Sequence, residues 1–231
     1  PAVFTLGRNG GRENLMVSDA HLASAGVGLM ASERGGNITY HGPGQIVGYP
    51  VVDLQRARLG VGDYVAALED LMLSVAQAWG VAADRDDRNR GIWVDGAKAG
   101  SIGLCLRHGM AFHGFALNVN NDLTPFKWIN PCGLAGVRMT SLEQVLDRLR
   151  DIMAGGQADL SADVAQGRLA VTAPEAPRIV LSSEAARDLI HTQLQTLLVQ
   201  DSAFNCLAML DEEGQVLVFS GQCDEVQSVG V

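Results

Sequence analysis

Ile92-Trp93-Val94-Asp95-Gly96-Ala97-Lys98 is the stretch that decides the fold class. Strand-favouring residues run into Asp-Gly, the dipeptide best suited to the positive backbone angles of a two-residue hairpin turn, and Lys98 lies just inside the returning strand. Neighbouring strands joined in this way are antiparallel, which argues against a purely parallel, doubly wound sheet. Upstream, Val65, Leu68, Leu71, Met72, Val75, Ala76 and Trp79 recur at three and four, predicting an amphipathic helix from Tyr64 to Trp79 with Asp63 as its cap. Downstream, residues 111 to 120 read as another strand. Thr140-Ser141-Leu142-Glu143 has the capping-box pattern and opens a helix through about Leu149.

The flanks extend this pattern. Ala2 to Leu6 reads as a strand, and a sheet seldom starts with nothing before it, so an N-terminal element is expected to be missing. A short helix is predicted over 18 to 25 with Ser18 or Asp19 as cap, then strands over 27 to 32 and 46 to 52, the latter ending before Asp53. Residues 1 to 150 are expected to form the main domain, and 151 to 178, rich in Gly, Ala and Asp, an irregular insertion. Residues 179 to 200 carry a last helix of the same domain, from about Ser183 to Val199, and 201 to 231 an acidic tail or hairpin turning at Asp211 to Gly214. Strands and helices in mixed order give an α/β (α+β) class, a mixed β-sheet flanked by helices.

Composition narrows the function. The 231 residues are 47% hydrophobic, enough for a sizeable core. No run approaches the roughly 18 to 20 apolar residues that span a bilayer, and no basic-then-apolar leader opens the chain, so a soluble, cytoplasmic protein is expected, with no membrane partner. Cys105, Cys132, Cys206 and Cys223 form no CxxC pair or zinc-ligand spacing, which argues against structural metal and a disulfide framework. The net charge is −9, and the acidic excess lies beyond residue 140, where 5 Lys+Arg face 14 Asp+Glu. With no basic cluster interleaved with aromatics, nucleic acid is not an expected partner. Of 17 basic residues only Lys98 and Lys127 are lysines. Lysine can be tuned to release its proton, and arginine cannot.

Asn130-Pro131-Cys132-Gly133 sets a thiol between proline and glycine, outside the regular elements. Such a turn can expose sulfur to a substrate and offer the glycine N–H to an oxyanion, although a small residue filling a turn has the same pattern. Cys105, by contrast, sits inside an apolar strand as a core cysteine would. A thiol with a reference pKa of about 8.5 needs a nearby cation or base, and Lys98 can provide either; alone, it also reads as a solvated hairpin residue. Lys127 reads as an exposed rim charge. Arg34-Gly35-Gly36-Asn37-Ile38-Thr39-Tyr40-His41-Gly42-Pro43-Gly44-Gln45 holds four glycines and a proline in twelve residues, so its backbone can approach a ligand, but it matches neither a Walker loop nor a dinucleotide fingerprint. A turn-rich loop without a ligand is its other reading. His41 and His113 are available as Cys-His partners; His113, within an apolar run, is expected to be a hydrogen-bonded pocket or core histidine.

Taken together, the Arg34 to Gln45 segment, Lys98-Ala99-Gly100-Ser101-Ile102-Gly103, His113-Gly114-Phe115-Ala116-Leu117-Asn118, and Asn130 to Gly133 with Met139-Thr140-Ser141-Leu142 resemble the lipoyl(octanoyl) transferase family. The resemblance covers about residues 1 to 145, and the last helix more loosely. It implies the catalytic fold shared by biotin and lipoate ligases. It also implies transfer of octanoyl from acyl carrier protein to a lysine of lipoyl domains, those of 2-oxoacid dehydrogenases and of the glycine cleavage H protein. Carried over by motif, Cys132 is the nucleophile and Lys98 the acid and base. Residues Arg34 to His41, Ser101, Ile102, Gly103, Gly114, Phe115 and Ala116 line the acyl pocket, with Phe115 where leucine is more usual. An acyl group already held as a thioester needs neither ATP nor magnesium, so no cofactor is expected. Because the protein substrates of the family are acidic, they are expected to dock near Arg34, Arg107 and Arg138, away from the acidic tail. Three rival readings remain open: an ATP-dependent lipoate or biotin ligase of the same fold, a cysteine hydrolase using His41 or His113, and a non-catalytic acyl- or carrier-binding protein.

Overall fold

The computed structural model describes residues 2–133, 136–165, 204–210 and 216–220. In chain order these form β1 (Val3–Leu6), α1 (Asp19–Ala25), β2 (Gly28–Ala31), β3 (Ile38–His41), β4 (Gln45–Asp53), α2 (Val61–Ala78), β5 (Trp93–Val94), β6 (Ala97–Lys98), β7 (Gly100–Arg107), β8 (Met110–Asn118), α3 (Leu142–Ala165), β9 (Phe204–Leu210) and β10 (Val216–Ser220). A five-stranded sheet has the order β10-β9-β4-β8-β7, and its neighbouring strands pair antiparallel. A smaller sheet, β2-β1-β3, is mixed, since β1 runs parallel to β2 and antiparallel to β3. The β5-β6 hairpin turns at Asp95 and Gly96 with φ of 49° and 70°, as its dipeptide predicts.

Helix α2 covers the large sheet because its inward stripe is apolar. Leu68, Leu71, Met72 and Val75 are no more than 3% exposed and pack with Ile46, Phe115 and Leu117 of the sheet and Leu142 and Val145 of α3. Truncating one such side chain to alanine costs about 2 to 5 kcal/mol. A second cluster, Phe4, Leu22, Val27, Ile38, Tyr40, Phe126 and Ile129, lies on the small sheet. The ladder between β4 and β8 opens opposite Pro50: Gly48 pairs with Phe115 and Val52 with Ala111, while Tyr49 to Val51 make no ladder pairs with β8. Proline has no N–H to donate, and in the opened stretch His113 takes a left-handed φ of 61°.

Several boundaries differ from those expected. Gly60, not Asp63, is the N-cap of α2; Asp63 sits one turn in and accepts the Gly60 N–H at 3.3 Å. Ser141, not Thr140, caps α3, its hydroxyl accepting the Gln144 N–H at 3.2 Å. Helix α3 runs to Ala165 rather than ending near Leu149, so the first part of the expected irregular insertion is helical. No proline intervenes there, and Ala, Leu and Gln offset its two glycines. Within the Arg34 to Gln45 segment, Ile38–His41 are strand β3 and Gln45 opens β4, so the segment is not all loop. The expected hairpin near the C-terminus is present as paired β9 and β10, with its turn outside the described residues. Residues 166 to 178 of the insertion and the helix expected over 183 to 199 also lie outside the described residues.

Candidate active site

Between the small sheet and β7-β8 lies a cavity of about 250 Å³. Of the residues expected to line it, Arg34, Gly36, Asn37, Ile38, Thr39, His41, Ser101, Ile102, Gly103, Gly114, Phe115 and Ala116 do so, and Gly35 and Tyr40 do not. Gly35 is turned to the sheet edge, its N–H donating to the Leu104 carbonyl at 2.6 Å. Tyr40 points the other way along β3, into the second core cluster against Phe4 and Phe126. Thr5, Ser32, Val47, Tyr49, Asn89, Arg90 and His113 complete the lining. Val47, Ile102, Phe115 and Ala116 make much of the wall apolar, and Phe115 fits because Gly48 opposite it leaves no side chain in its way.

Lys98 is not a solvated hairpin residue. It is 1% exposed, held by its backbone between the Arg138 carbonyl (2.8 Å) and the Thr140 N–H (2.9 Å). Its ammonium donates to the Arg90 carbonyl at 2.7 Å and to the Asn89 side-chain oxygen, and lies 5.3 Å from the centre of the Trp93 ring. Asn89 and Arg90 line the cavity, so the ammonium is bonded directly to its wall. The Asp86 carboxyl is held down at about 2, mainly by its bonds to Arg88, with Lys98 adding a smaller pull.

Cys132 lies in a 3-10 turn, Pro131–Gly133, and its sulfur is outside the described atoms. The next residue, Gly133, abuts the cavity-lining Asn37, whose amide nitrogen stands 2.9 Å from where a Cβ on that glycine would sit. Met139, six residues on, is bridged to Lys98. The cysteine turn thus abuts one residue of the cavity wall, Asn37, and the lysine ammonium bonds to two others, Asn89 and Arg90. Cys105 is a buried core cysteine, and Lys127 is exposed.

Another part of the wall is a hydrogen-bonded row in which the imidazole of His41 is neutral and Arg34 is charged. Gln45 donates from Nε2 to the Tyr40 carbonyl (3.2 Å) and to Asn118 Oδ1 (2.8 Å), so its Oε1, 2.8 Å from His41 Nδ1, accepts. That assigns the His41 proton to Nδ1. Its Nε2 then accepts from the Thr5 hydroxyl at 3.3 Å, and Thr5 Oγ1 accepts from Arg34 Nε at 3.0 Å. Burial pushes His41 down to about 4, against the opposing effect of the Gln45 bond, with the Arg34 charge lowering it further. A neutral imidazole with both nitrogens engaged is a poor base for a thiol. Burial and the Arg34 charge also lower His113, which lines the cavity as a pocket histidine. Arg34, half-buried, gives its guanidinium to Thr5 and the Gly35 carbonyl. Arg107 is exposed and paired with Glu33, and Arg138 is exposed with one nitrogen on the Asp95 carbonyl.

Asn89 and Arg90 carry no signal of this role in the sequence, because Asp84-Arg85-Asp86-Asp87-Arg88-Asn89-Arg90 reads as a solvated charge run. Among the described residues no group of three or more His, Cys, Asp or Glu could hold a metal ion, and no helix is long and apolar enough to cross a membrane.

The lipoyl protein ligase A/B catalytic domain family matches residues 1–156. An octanoyltransferase of Desulfotalea psychrophila is 52% identical over 144 residues, covering 62% of this chain and 65% of that protein. An octanoyltransferase of Pseudomonas putida is 42% identical over 160 residues, covering 67% of this chain and 72% of that one. The chain thus spans about two thirds of the length of these curated relatives. The fold is shared with a crystal structure of lipoate-protein ligase A bound with ATP, at a TM-score of 0.58 and 12% identity over 86% of this chain and 69% of that one. It is shared too with a bi-partite lipoate protein ligase from Thermoplasma acidophilum, at a TM-score of 0.53 and 14% identity over 86% and 68%.

Proposed function

The chain belongs to the lipoyl protein ligase A/B catalytic domain family, and from that premise we propose that it is an octanoyltransferase of lipoate biosynthesis, acting in the cytoplasm. It takes octanoyl from acyl carrier protein and delivers it to a lysine of lipoyl domains, those of 2-oxoacid dehydrogenases and of the glycine cleavage H protein. The observation that carries this reading is Lys98, 1% exposed and bonded to two cavity-lining residues, and it is supported by the contact of Gly133, next to Cys132, with cavity-lining Asn37.

The Cys132 thiolate, paired with the Lys98 ammonium, attacks the carbonyl carbon of the donor thioester. The bond from that carbon to the carrier's sulfur breaks, and the departing thiolate takes a proton from Lys98. The acceptor lysine then attacks the Cys132 thioester as a neutral amine. Lys98, now neutral, receives a proton from the attacking nitrogen, the bond to Cys132 sulfur breaks, and the starting ion pair is restored. The sum is carrier thiol plus an octanoyl amide, with no nucleotide consumed. The apolar side of the cavity, with Ile102 and Phe115, holds the acyl chain.

Mass spectrometry of a lipoyl domain incubated with the protein and octanoyl carrier protein tests this. An octanoyl increment on the acceptor, formed without nucleotide and lost in Cys132→Ala, is expected. An increment that requires ATP and persists in Cys132→Ala identifies the ligase reading instead.

A further inference from the structure

We propose that Glu69 is a positioning residue that holds and orients the Lys98 ammonium through one peptide, the one joining Arg90 to Gly91. The inference rests on the role assigned to Lys98 above. Glu69 lies on α2 among Leu68, Leu71 and Met72 and is 1% exposed. A carboxylate in that setting is costly unless it is paired and hydrogen-bonded. Oε2 meets Arg85 Nε at 2.9 Å, with Arg90 Nη1 at 3.8 Å, and Oε1 accepts the Gly91 N–H at 2.9 Å.

That N–H and the Arg90 carbonyl belong to the same peptide. On the carbonyl side, Lys98 Nζ donates at 2.7 Å. Carboxylate, peptide and ammonium therefore form one row of hydrogen bonds in which each bond polarises the next and favours the charged lysine. Gly91 makes the approach possible: at φ 125°, a Cβ there would lie 2.0 Å from the Gly100 carbonyl oxygen and 3.2 Å from Lys98 Cε. Asn89, in the same loop, supplies the second acceptor to the ammonium. The other charges around Lys98 are Asp86 and Arg88 of that loop, Arg85 behind it, and Arg138 on the strand-like segment bonded to the lysine backbone. None of these belongs to the peptide that joins Glu69 to Lys98.

Having only two lysines makes the test direct. Protein carrying lysine labelled with carbon-13 at Cε gives two NMR signals, one from Lys98 and one from exposed Lys127 as internal reference. In Glu69→Gln, which keeps the size of the side chain and an oxygen for Gly91, the Lys98 signal is expected to titrate at lower pH than in the wild type while Lys127 is unmoved. Glu69→Asp, which keeps the charge but withdraws it from the Gly91 N–H, is expected to act in the same direction and decides the matter if Glu69→Gln does not fold. Octanoyl transfer is expected to fall about tenfold in Glu69→Gln, the loss of one charge-assisted bond. A Lys98 titration identical in the wild type and both variants overturns the proposal. The NMR readout needs no turnover: a protein that transfers no octanoyl group yet shifts its Lys98 titration loses the catalytic reading and keeps the positioning one.

Discussion

On one side of the cavity Arg34, Thr5, His41, Gln45 and Asn118 pass hydrogen bonds along a row in which the imidazole is uncharged. On the other, the Glu69 carboxylate and the Lys98 ammonium meet through the Arg90–Gly91 peptide, with the Arg85 and Arg90 guanidiniums beside the carboxylate. The difference teaches how an apolar slot can do proton chemistry. The first wall ties the Arg34 charge into bonds with Thr5 and the Gly35 carbonyl and leaves its imidazole neutral, while the ionic wall keeps one movable proton at the end where a thioester is exchanged.

The largest effect expected from breaking this division comes from the ionic wall itself. Lys98→Met fills similar space without a proton, and single-turnover octanoyl transfer is expected to slow by about 100-fold or more. A variant within a few-fold of the wild type would show that the proton passes elsewhere.

Acid sharpens the contrast from the neutral side. Folded His41 gains its proton only near pH 4, whereas an unfolded histidine gains it near 6.5. The unfolded chain therefore binds the extra proton first, and the stability that neutral His41 contributes is full above pH 6.5 and lost between about 6.5 and 4. With allowance for solvent reaching the partly open ring, the loss is on the order of 2 kcal/mol. Urea unfolding across that window should show the slope in the wild type and a flatter one in His41→Gln.

Phe115→Leu probes the apolar floor between the walls. Enlarging the cavity at that point is expected to move the acyl-length preference toward longer chains, by about three-fold in competition assays, for roughly 1 kcal/mol of stability. An unchanged preference would place the end of the chain elsewhere. The smallest effect belongs outside both walls: Arg107→Ala removes an exposed pair with Glu33 and should alter stability by less than about 1 kcal/mol in thermal unfolding.

What the sequence made legible was what local geometry controls. Asp95-Gly96 fixed the hairpin because two positive φ angles in a row suit few other dipeptides. The stripe on α2 marked its buried face. The depth of Lys98 was not readable, because a hairpin lysine is ordinarily solvated and its burial comes from Asn89, Arg90 and Trp93 arriving from the preceding segment. The same holds for Glu69, which looks like an ordinary helix-surface charge until the 84 to 91 loop folds over it. Strand alternation on β3, which turns Ile38 and Tyr40 inward as a pair, was hidden by the glycines around it. Thr140 and Ser141 each have an acidic or amide residue three positions on, so the pattern alone could not separate the two caps.

The proposed transfer depends on an acyl group carried by one sulfur. Intact-mass measurement after mixing the protein with octanoyl carrier protein, without acceptor, tests it most directly. A single octanoyl adduct is predicted on the wild type, removed by neutral hydroxylamine as a thioester would be, and absent from Cys132→Ser. An adduct that persists on Cys132→Ser at another residue, or transfer to a lipoyl domain by that variant at the wild-type rate, would contradict it.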